Sequence, residues 1–590
     1  MINSVDVPDA SVMSRSLPVR RSSSKLQRRD NWLLLAPIVL LGAISALAYY
    51  FGLTRPYPLA DLYQTPLLEL GKITGGTIQA ANGWIITWLV LFAAYYLAFR
   101  ICPSGVRVSA AFRRTALAII GGGSALFTGC LFFMYPITAA DIFDQIFRAR
   151  ITSHYALSPF TTFPGTFNQD PLQRFVAWNG EGSPYGPVWE VFAAIPGWLA
   201  GDNLWNNLLY FKALVAIFYI ASTVLTYFIL RSLKPDWALR GTLFFAWNPL
   251  VLFEVAGNGH NDIVMVTFVL LAVYLFVRGQ RIAVLPALML GVLAKFIPLL
   301  LVPIAMTAIW RDRLNLNMPP YISRSRWNTL SARMLGKTRA MSISTTIGSQ
   351  PWRAPLSNRA VLTTLAIGGL LSLALAVIFY LPFWEGTKTI GALGRQTLFT
   401  TSLPTLSYLL LQTHLHISIT EAQGIARNAA LAIVAITIIG LTLFVFLKGN
   451  ANTISERQAL VSRTLGAFYE MIFVYLAFAT LWFQPWYLIW LVALTPPVAL
   501  YTNANRTVLF CTGGVAAYFV GFFMWGWTRA NPLDMTTMGI IAVYFLTLFY
   551  TLYSALKLKF DNIWSSKDRT PKIDEKVPGG LPTRPLRTKA

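Results

Sequence analysis

Residues 283–310 read AVLPALMLGVLAKFIPLLLVPIAMTAIW, an apolar stretch interrupted at its centre by Lys295 and bounded by Arg281 and Arg311. A single crossing would place one of these basic flanks on the outer side of a membrane, whereas Lys and Arg collect in cytoplasmic loops. The stretch therefore predicts a hairpin of two short helices that breaks around Lys295 and Pro298. This hairpin sets the direction of every later crossing.

The composition indicates a polytopic membrane protein. Of the 590 residues, 55% are hydrophobic and only 12% are charged, which is more apolar surface than a soluble fold of this length could bury. Cys102, Cys130 and Cys511 lie far apart, so they provide neither a disulfide framework nor a CxxC metal site. The predicted fold class is all-α, a bundle of transmembrane helices with interfacial helices on its outer face.

Twelve apolar segments besides the hairpin have spanning or near-spanning length. Together with the hairpin they predict about 14 crossings, with both termini in the cytoplasm and the first segment retained as an uncleaved helix. The segments lie at about 32–53, 83–99, 116–135, 208–230, 240–256, 263–277, 361–383, 425–447, 467–483, 486–500, 507–526 and 536–556.

The net charge of +24 comes from basic residues that cluster beside apolar spans. This placement follows the positive-inside rule, so it indicates topology and not nucleic-acid binding. The basic loop at residues 311–360 and the C-terminal tail are candidates for contact with anionic lipid headgroups. The predicted organisation is a cytoplasmic tail (1–31), two accessory helices (32–101), a core (113–310) with an outer loop (136–207), a basic cytoplasmic loop (311–360), a C-terminal bundle (361–556) and a cytoplasmic tail (557–590).

The outer loop begins with TAADIFDQIFRAR, residues 138–150. On a helix, Asp141 and Asp144 share a face, and Arg148 lies one turn beyond Asp144. A carboxyl group at the boundary of lipid and water can have a raised pKa and act as a general base. The alternative is an interfacial helix with an ordinary Asp144–Arg148 ion pair.

A second polar motif, GNGHND, spans residues 257–262 between two apolar segments. It could be a tight hairpin that uses Gly257 and Gly259 for unusual backbone angles. Alternatively, His260, Asn261 and Asp262 bind sugar hydroxyl groups, or form part of a divalent-cation site with an aspartate of the outer loop. No other cofactor is indicated.

Lys295 is the costliest charge in the chain, because an ammonium group near bilayer depth costs about 3 kcal/mol unless it faces a cavity or a partner. It either snorkels from a helix end or binds a lipid phosphate at the outer interface. Arg148 and Arg150 are further candidate phosphate ligands, since a guanidinium group binds phosphate in a bidentate manner.

Two segments on the same side are too short or too broken to span, VWEVFAAIPGWLAG at 188–201 and LPTLSYLLLQTHLHI at 403–417. Placed in the interface plane, they would roof a cavity that is open to lipid. His414 and His416 within the second segment are interpreted as surface residues. The aromatic residues Trp486 and Tyr487 fit an interfacial belt, and equally a rim that stacks on sugar rings.

Six short motifs follow one another between residues 116 and 500. They are Asp141 of the first outer loop, Ser183-Pro-Tyr-Gly-Pro187, Asn248-Pro-Leu-Val-Leu-Phe-Glu254 with His260-Asn-Asp262, Leu293-Ala-Lys-Phe-Ile-Pro298, Leu381-Pro-Phe-Trp384, and Phe483-Gln-Pro-Trp-Tyr-Leu-Ile-Trp490.

In this order the motifs resemble the bacterial GT-C glycosyltransferases that use polyprenyl-phosphate-mannose. The chain is most similar to the α-1,6-mannosyltransferases of actinobacterial lipoglycan assembly and to related family 87-like enzymes. The resemblance implies a GT-C fold, a base at the first-loop Asp141, and a sugar donor carried on a lipid phosphate. The chain departs from the family pattern in the turn near residue 258 and in the loop before Ser183.

The predicted protein is therefore a membrane glycosyltransferase of the bacterial cell membrane. It transfers a sugar, on the resemblance mannose, from a polyprenyl-phosphate donor to a lipid or glycan acceptor at the outer face, with inversion. Asp141 and Asp144 are the catalytic candidates, and Lys295, Arg148 and Arg150 would bind the donor phosphate. The candidate sugar or acceptor contacts are Tyr185, His260, Asn261, Asp262, Glu385, Gln484, Trp486 and Tyr487.

Three other functions were weighed against this prediction. A transporter or flippase of lipid-linked sugars would place charges on both sides of the membrane or midway along a central path. A scaffolding protein would not explain Lys295. An oligosaccharide ligase needs the same base and phosphate ligands, so the sequence does not separate it from a transferase of single sugars.

Overall fold

The structure is a computed structural model that describes residues 31–105, 108–313, 359–390, 398–448, 451–498, 501–528 and 531–567. Within these ranges it is helical, with three isolated β-bridges and no β-strand, so the all-α fold class is confirmed. The principal helices are α1 (Leu35–Tyr49), α2 (Ile78–Ile101), α3 (Ala110–Phe132), α4 (Asp141–Ser153), α5 (Pro187–Ala200), α6 (Leu204–Leu233), α7 (Ala238–Ala246), α8 (Asp262–Arg278), α9 (Arg281–Ala294), α10 (Val302–Arg311), α11 (Arg359–Tyr380), α12 (Leu403–Leu415), α13 (Ile419–Leu447), α14 (Ile454–Val474), α15 (Leu488–Val498), α16 (Tyr501–Phe519) and α17 (Pro532–Lys567).

Nine helical segments of the described ranges are long and apolar enough to cross a membrane, and each overlaps a predicted segment. Shorter apolar helices lie at the predicted hairpin and at the predicted segment 486–500. The total of about 14 crossings stays a prediction. The nine long segments are Trp32–Thr54, Ile78–Ile101, Ala110–Phe132, Leu204–Leu233, Arg359–Phe383, Ile419–Leu447, Ile454–Ala479, Tyr501–Met524 and Leu533–Lys557.

The domain boundaries also stay predictions. Most of the predicted N-terminal tail and of the basic loop 311–360 lies outside the described residues. Helix α17 continues to Lys567, past the predicted end of the last span at residue 556. The two segments predicted to lie in the interface plane form helices α5 and α12.

The segment predicted as one span at about 240–256 is broken into three pieces. Helix α7 ends at Ala246, and Pro249, which has no N–H to donate, begins a new helix. The Asn248 side chain caps this helix by accepting the N–H of Val251 at 3.2 Å. A π-turn at Phe253–Gly257 follows. Such turns often occur at functional sites, and this one leads directly into the polar turn at 258–261.

The helical hairpin at 283–310 is confirmed. Helix α9 ends at Ala294, Lys295 is extended with φ −156° and ψ 132°, and a 3₁₀ turn at Ile297–Leu301 leads into α10. Lys295 therefore lies at the tip of the hairpin, between the end of α9 and the 3₁₀ turn that precedes α10.

One end of the bundle is held by arginines. The buried Asp312 carboxylate accepts bonds from Arg281 at 3.0 Å and Arg457 at 3.2 Å. Arg240 donates to the carbonyl oxygen of Cys102 at 2.7 Å, which joins the ends of α2 and α7. The predicted outer motifs lie at the opposite helix ends, so the cationic end and the polar motifs occupy different ends of the bundle.

The segment that leads from α3 to α4 is fixed from two sides. Lys212 of α6 is fully buried and donates to the carbonyl oxygens of Met134 at 2.5 Å and Leu131 at 3.4 Å. These bonds satisfy acceptors that the end of a helix leaves free. Tyr135 donates its N–H to the carbonyl oxygen of Tyr57 at 2.8 Å. The position of α4 therefore depends on α6 and on the segment between α1 and α2, which contains Tyr57.

Gly186 lets the start of α5 touch the hairpin tip. Its N–H donates to the carbonyl oxygen of Ala294 at 3.0 Å, and a Cβ at this position would overlap the carbonyl oxygen of Leu293. The close approach brings the Tyr185 ring to 5.9 Å from the Lys295 ammonium nitrogen. The Ser-Pro-Tyr-Gly-Pro motif thus has a packing function.

We expect Gly186→Ala to separate α5 from α9, because backbone would have to move to admit the methyl group. Overpacking of this kind costs about 1–3 kcal/mol. The midpoint of thermal unfolding in detergent should fall. Gly440→Ala is the matched control, since a Cβ there has nothing within 4 Å and the change favours helix. Equal midpoints for the two variants would contradict the packing argument.

Candidate active site

Asp141 is the first residue of α4 and the more accessible of its two carboxylates. Its side chain is 26% exposed, and its Oδ2 lies 3.9 Å from Nδ1 of His260. The pKa of Asp141 is raised to about 7, first by burial and then by the charge of Asp144, whereas Lys295 and Arg148 oppose the rise. A carboxyl group with this pKa can exchange a proton near neutral pH.

Asp144 is buried and faces the loop that follows α4. Its two oxygens accept the backbone N–H groups of Trp178 at 3.0 Å and Ala177 at 3.3 Å. The net pKa of Asp144 is about 6, because burial raises it by more than Arg148 and these two N–H groups lower it. Its contacts anchor the outer loop to α4, one turn away from the more exposed Asp141.

Arg148 and Arg150 have different surroundings. Arg148 donates to the backbone carbonyl oxygens of Glu181 at 2.7 Å and Trp178 at 3.4 Å, and it lies within electrostatic range of Asp141 and Asp144. Arg150 forms ion pairs with Asp170 at 2.5 Å and Asp202 at 2.6 Å. The structure brings Arg148 to the cluster and holds Arg150 in a network within the loop.

Lys295 points into a cage and does not extend away from the protein. Its ammonium group is 2.8 Å from Asp262, whose same oxygen also accepts the indole N–H of Trp490 at 2.6 Å. The Tyr487 and Trp490 rings lie 4.6 and 5.3 Å from the ammonium nitrogen. The Lys295 side chain keeps 17% exposure, so a charged ligand can still reach it.

His260 lies between two acids. Its Nδ1 faces Asp141, and its Nε2 is 3.4 Å from Oε2 of Glu254. The ring stacks on Trp486 with 4.1 Å between centroids. Gly259 before it has φ +79°, and a Cβ there would lie 2.5 Å from Ile142 of α4. Of the two glycines considered in the sequence, Gly259 therefore supplies the unusual backbone angle.

Several residues of this side-chain cluster are not among those predicted from the sequence. Glu254 lies fully buried, Tyr518 donates to its Oε1 at 2.7 Å, and Asn258 donates to its Oε2 at 2.8 Å. A carboxyl group within an apolar span is rare and could have drawn attention to Glu254. Gln145 lies one turn after Asp141 near Tyr185, and its two amide atoms are buried without hydrogen-bond partners. No sequence signal distinguishes it.

Three other residues predicted to bind sugar or acceptor make few hydrogen bonds. Asn261 is buried, and its side-chain oxygen has no hydrogen-bond partner. Glu385 is exposed, with its backbone N–H bonded to Thr389 at 2.8 Å. Gln484 is half-buried before the turn Pro485–Tyr487. In the described part of the chain, no group of three or more His, Cys, Asp or Glu side chains could hold a metal ion.

The all-α bundle holds a titratable carboxyl group and a cation in one cluster at its helix ends, as a membrane glycosyltransferase of the GT-C type would require. Residues 39–311 match the family model described as alpha-(1->6)-mannopyranosyltransferase, N-terminal domain. This match agrees with the mannosyltransferase family that the order of the motifs predicted. A search of the curated proteins found no match.

The Asp262–Lys295 pair gives a prediction about stability. Lys295→Ala would leave the buried Asp262 with only Trp490 as partner, and Asp262→Ala would leave Lys295 among aromatic rings. Each change should lower the unfolding midpoint, because a buried charge that loses its partner is strongly destabilising. The double variant should be more stable than the sum of the single effects predicts, by about 1–3 kcal/mol. Strict additivity in thermal unfolding would show that the two groups are not coupled.

Proposed function

We propose that the protein transfers mannose from a polyprenyl-phosphate donor to a lipid or glycan hydroxyl group at the outer face of the bacterial cell membrane, with inversion. The observation that carries the proposal is that Asp141 and Lys295 lie in the same cluster of side chains. One supplies a proton acceptor and the other a cation, and both keep partial exposure within a largely buried cluster.

In the proposed reaction the acceptor oxygen attacks C1 of the sugar as its proton passes to the Asp141 carboxylate. The bond between C1 and the phosphate oxygen breaks, and its electron pair leaves with the polyprenyl phosphate. Direct displacement needs one base and inverts the configuration at C1. The pKa of Asp141, about 7, suits a base that works near neutral pH.

Lys295 is the proposed ligand of the departing phosphate. An ammonium group has three N–H donors, and the bond to Asp262 uses one of them. The other two can stabilise the charge that develops on the phosphate oxygens. Arg148 adds positive charge from within the loop, although it donates hydrogen bonds to backbone carbonyl oxygens. Arg150 is taken up by Asp170 and Asp202, so it is not part of this proposal.

The rings around the cluster are proposed to hold the sugar. Tyr185, Trp486 and Tyr487 have aromatic faces of the kind that stack on pyranose rings. Gln145 and Asn261 carry buried amide atoms that lack protein partners, and sugar hydroxyl groups could satisfy them. Glu385 and Gln484 stay candidates for the acceptor side.

The proposal that the site lies at the outer face rests on a difference in charge between the two ends of the bundle. The end with Arg240, Arg281 and Arg457 is strongly cationic, and cationic loops stay in the cytoplasm. The candidate active site lies at the other end. A lipid donor in the outer leaflet would meet Lys295 at the hairpin tip, and both termini would be cytoplasmic.

The primary test is donor turnover by the purified full-length chain in lipid vesicles. Radiolabelled polyprenyl-phosphate-mannose is supplied with a panel of lipid and glycan acceptors. Asp141→Asn should fold normally and lose activity by about 10²–10⁴-fold, the usual contribution of a general base. Asp61→Asn, at an exposed aspartate between α1 and α2, is the matched control.

Two outcomes would contradict the proposal. Full activity of Asp141→Asn would remove the base assignment. Transfer of a preassembled oligosaccharide in place of single mannose residues would make the protein a ligase, and labelled donor that crosses the bilayer without reacting would make it a transporter.

The pH dependence of turnover should follow the protonation of Asp141. Because only the carboxylate accepts a proton, kcat should fall as the pH drops below about 7. Asp144→Asn removes a negative charge that raises the pKa of Asp141, so the acidic limb should move to lower pH by about half to one unit. Lys295→Met removes a charge that lowers this pKa, so the limb should move to higher pH. Shifts in the same direction would contradict the assignment.

A further inference from the structure

Glu254 is a fully buried acid beside the candidate active site, and the proposed reaction leaves it without a role. Its Oε1 accepts a bond from Tyr518 at 2.7 Å. Its Oε2 accepts a bond from Asn258 at 2.8 Å and lies 3.4 Å from Nε2 of His260. Asn258 also donates to Thr138 at 2.8 Å, three residues before Asp141. Glu254 is therefore connected to the segment that carries the base.

The His260 ring has little freedom to move between Glu254 and Asp141. It is almost parallel to Trp486, with an interplanar angle of 18°. The left-handed backbone of Gly259 and its contact with Ile142 fix the turn that carries the ring. One ring nitrogen thus faces each carboxyl group, at 3.4 and 3.9 Å.

The three groups require a defined placement of protons. Burial, followed by the charge of Lys295, holds the pKa of His260 well below its usual range, so its imidazole is neutral and carries one N–H. A carboxylate at Asp141 is stabilised when that N–H is at Nδ1. Nε2 then has only a lone pair, so a hydrogen bond between Nε2 and Oε2 would need a proton on Glu254.

We propose that Glu254 is a positioning residue, a neutral acid that donates to Nε2 of His260 and so keeps the Nδ1–H of His260 directed at the Asp141 carboxylate. The proposal rests on the role of Asp141 as base. The separations of 3.4 and 3.9 Å exceed ordinary hydrogen bonds, and contacts of this kind shorten when substrate fills a site.

Other charged groups also act on Asp141, and the test must separate their effects. Asp144 and Asp262 disfavour the carboxylate, whereas Lys295 and Arg148 favour it. None of these four is altered in the variants below. Without the donor at Glu254, His260 is free to carry its proton on Nε2 and present a lone pair to Asp141, which would repel the carboxylate and raise its pKa.

The experiment compares Glu254→Gln with Glu254→Met in the full-length chain, using the pH profile of kcat and the KM for polyprenyl-phosphate-mannose. The glutamine amide keeps an N–H donor for Nε2, so the profile should stay in place and kcat should stay within about threefold. Methionine fills a similar volume but cannot donate. Its kcat should fall about 10- to 100-fold with little change in KM, and its acidic limb should move to higher pH. Glu421→Met, at an exposed glutamate of α13, is the control for the substitution itself.

His260→Phe provides a second measurement if Glu254→Met fails to fold. It keeps a ring to stack on Trp486 and removes both nitrogens, so it should lower kcat and move the acidic limb upwards as well. An unchanged limb in a folded Glu254→Met or His260→Phe variant would overturn the proposal. A shifted limb in Glu254→Gln would also overturn it, since that result requires an anionic Glu254.

The same assay separates this inference from the proposed function. If Asp141→Asn keeps its activity, the base assignment fails and the role of Glu254 fails with it. If Asp141→Asn is inactive while the Glu254 variants leave the pH profile in place, only the positioning role is wrong.

Discussion

The contact between Lys295 and Asp262 is the interaction on which the candidate active site depends. The two charges lie 2.8 Å apart at the tip of a helical hairpin, and their mutual attraction compensates for the loss of hydration. Trp490 bonds to the same carboxylate oxygen, and aromatic rings surround the ammonium group. The pair holds together the start of α8, the tip of the α9–α10 hairpin and the start of α15. These are the elements that surround His260 and Asp141.

Buried polar groups elsewhere follow the same requirement for partners. Lys212 donates to carbonyl oxygens at the end of α3, and Asp144 accepts two backbone N–H groups of the outer loop. Neither contact brings a reactive group to the surface. Both contacts fix segments that flank Asp141. Without them, the chain on either side of Asp141 would be held only by its connection to the neighbouring helices. The partly exposed Asp141 and Lys295 therefore lie in a rigid setting, as a preorganised site requires.

The sequence predicted the fold more completely than the site. Apolar length located the nine long helices and the broken hairpin, because a helix in lipid must satisfy its own backbone and expose apolar side chains. It predicted one span at about 240–256, although Pro249 and the π-turn before Asn258 divide this segment. Hydrophobicity records the length of a segment but not its local geometry. For the site, the order of motifs singled out Asp141, His260, Asp262 and Lys295, and the structure brings them together.

By itself, the sequence determined an all-α membrane fold and a likeness to a mannosyltransferase family over residues 39–311, because hydrophobicity and motif order depend on the chain alone. The tertiary structure decided which charges have partners. Arg148 and Arg150 are two residues apart, yet one reaches the cluster and the other binds Asp170 and Asp202 in the loop. Glu254 and Tyr518 are 264 residues apart and form a direct hydrogen bond. Such pairings arise from the packing of distant helices, which local sequence does not encode.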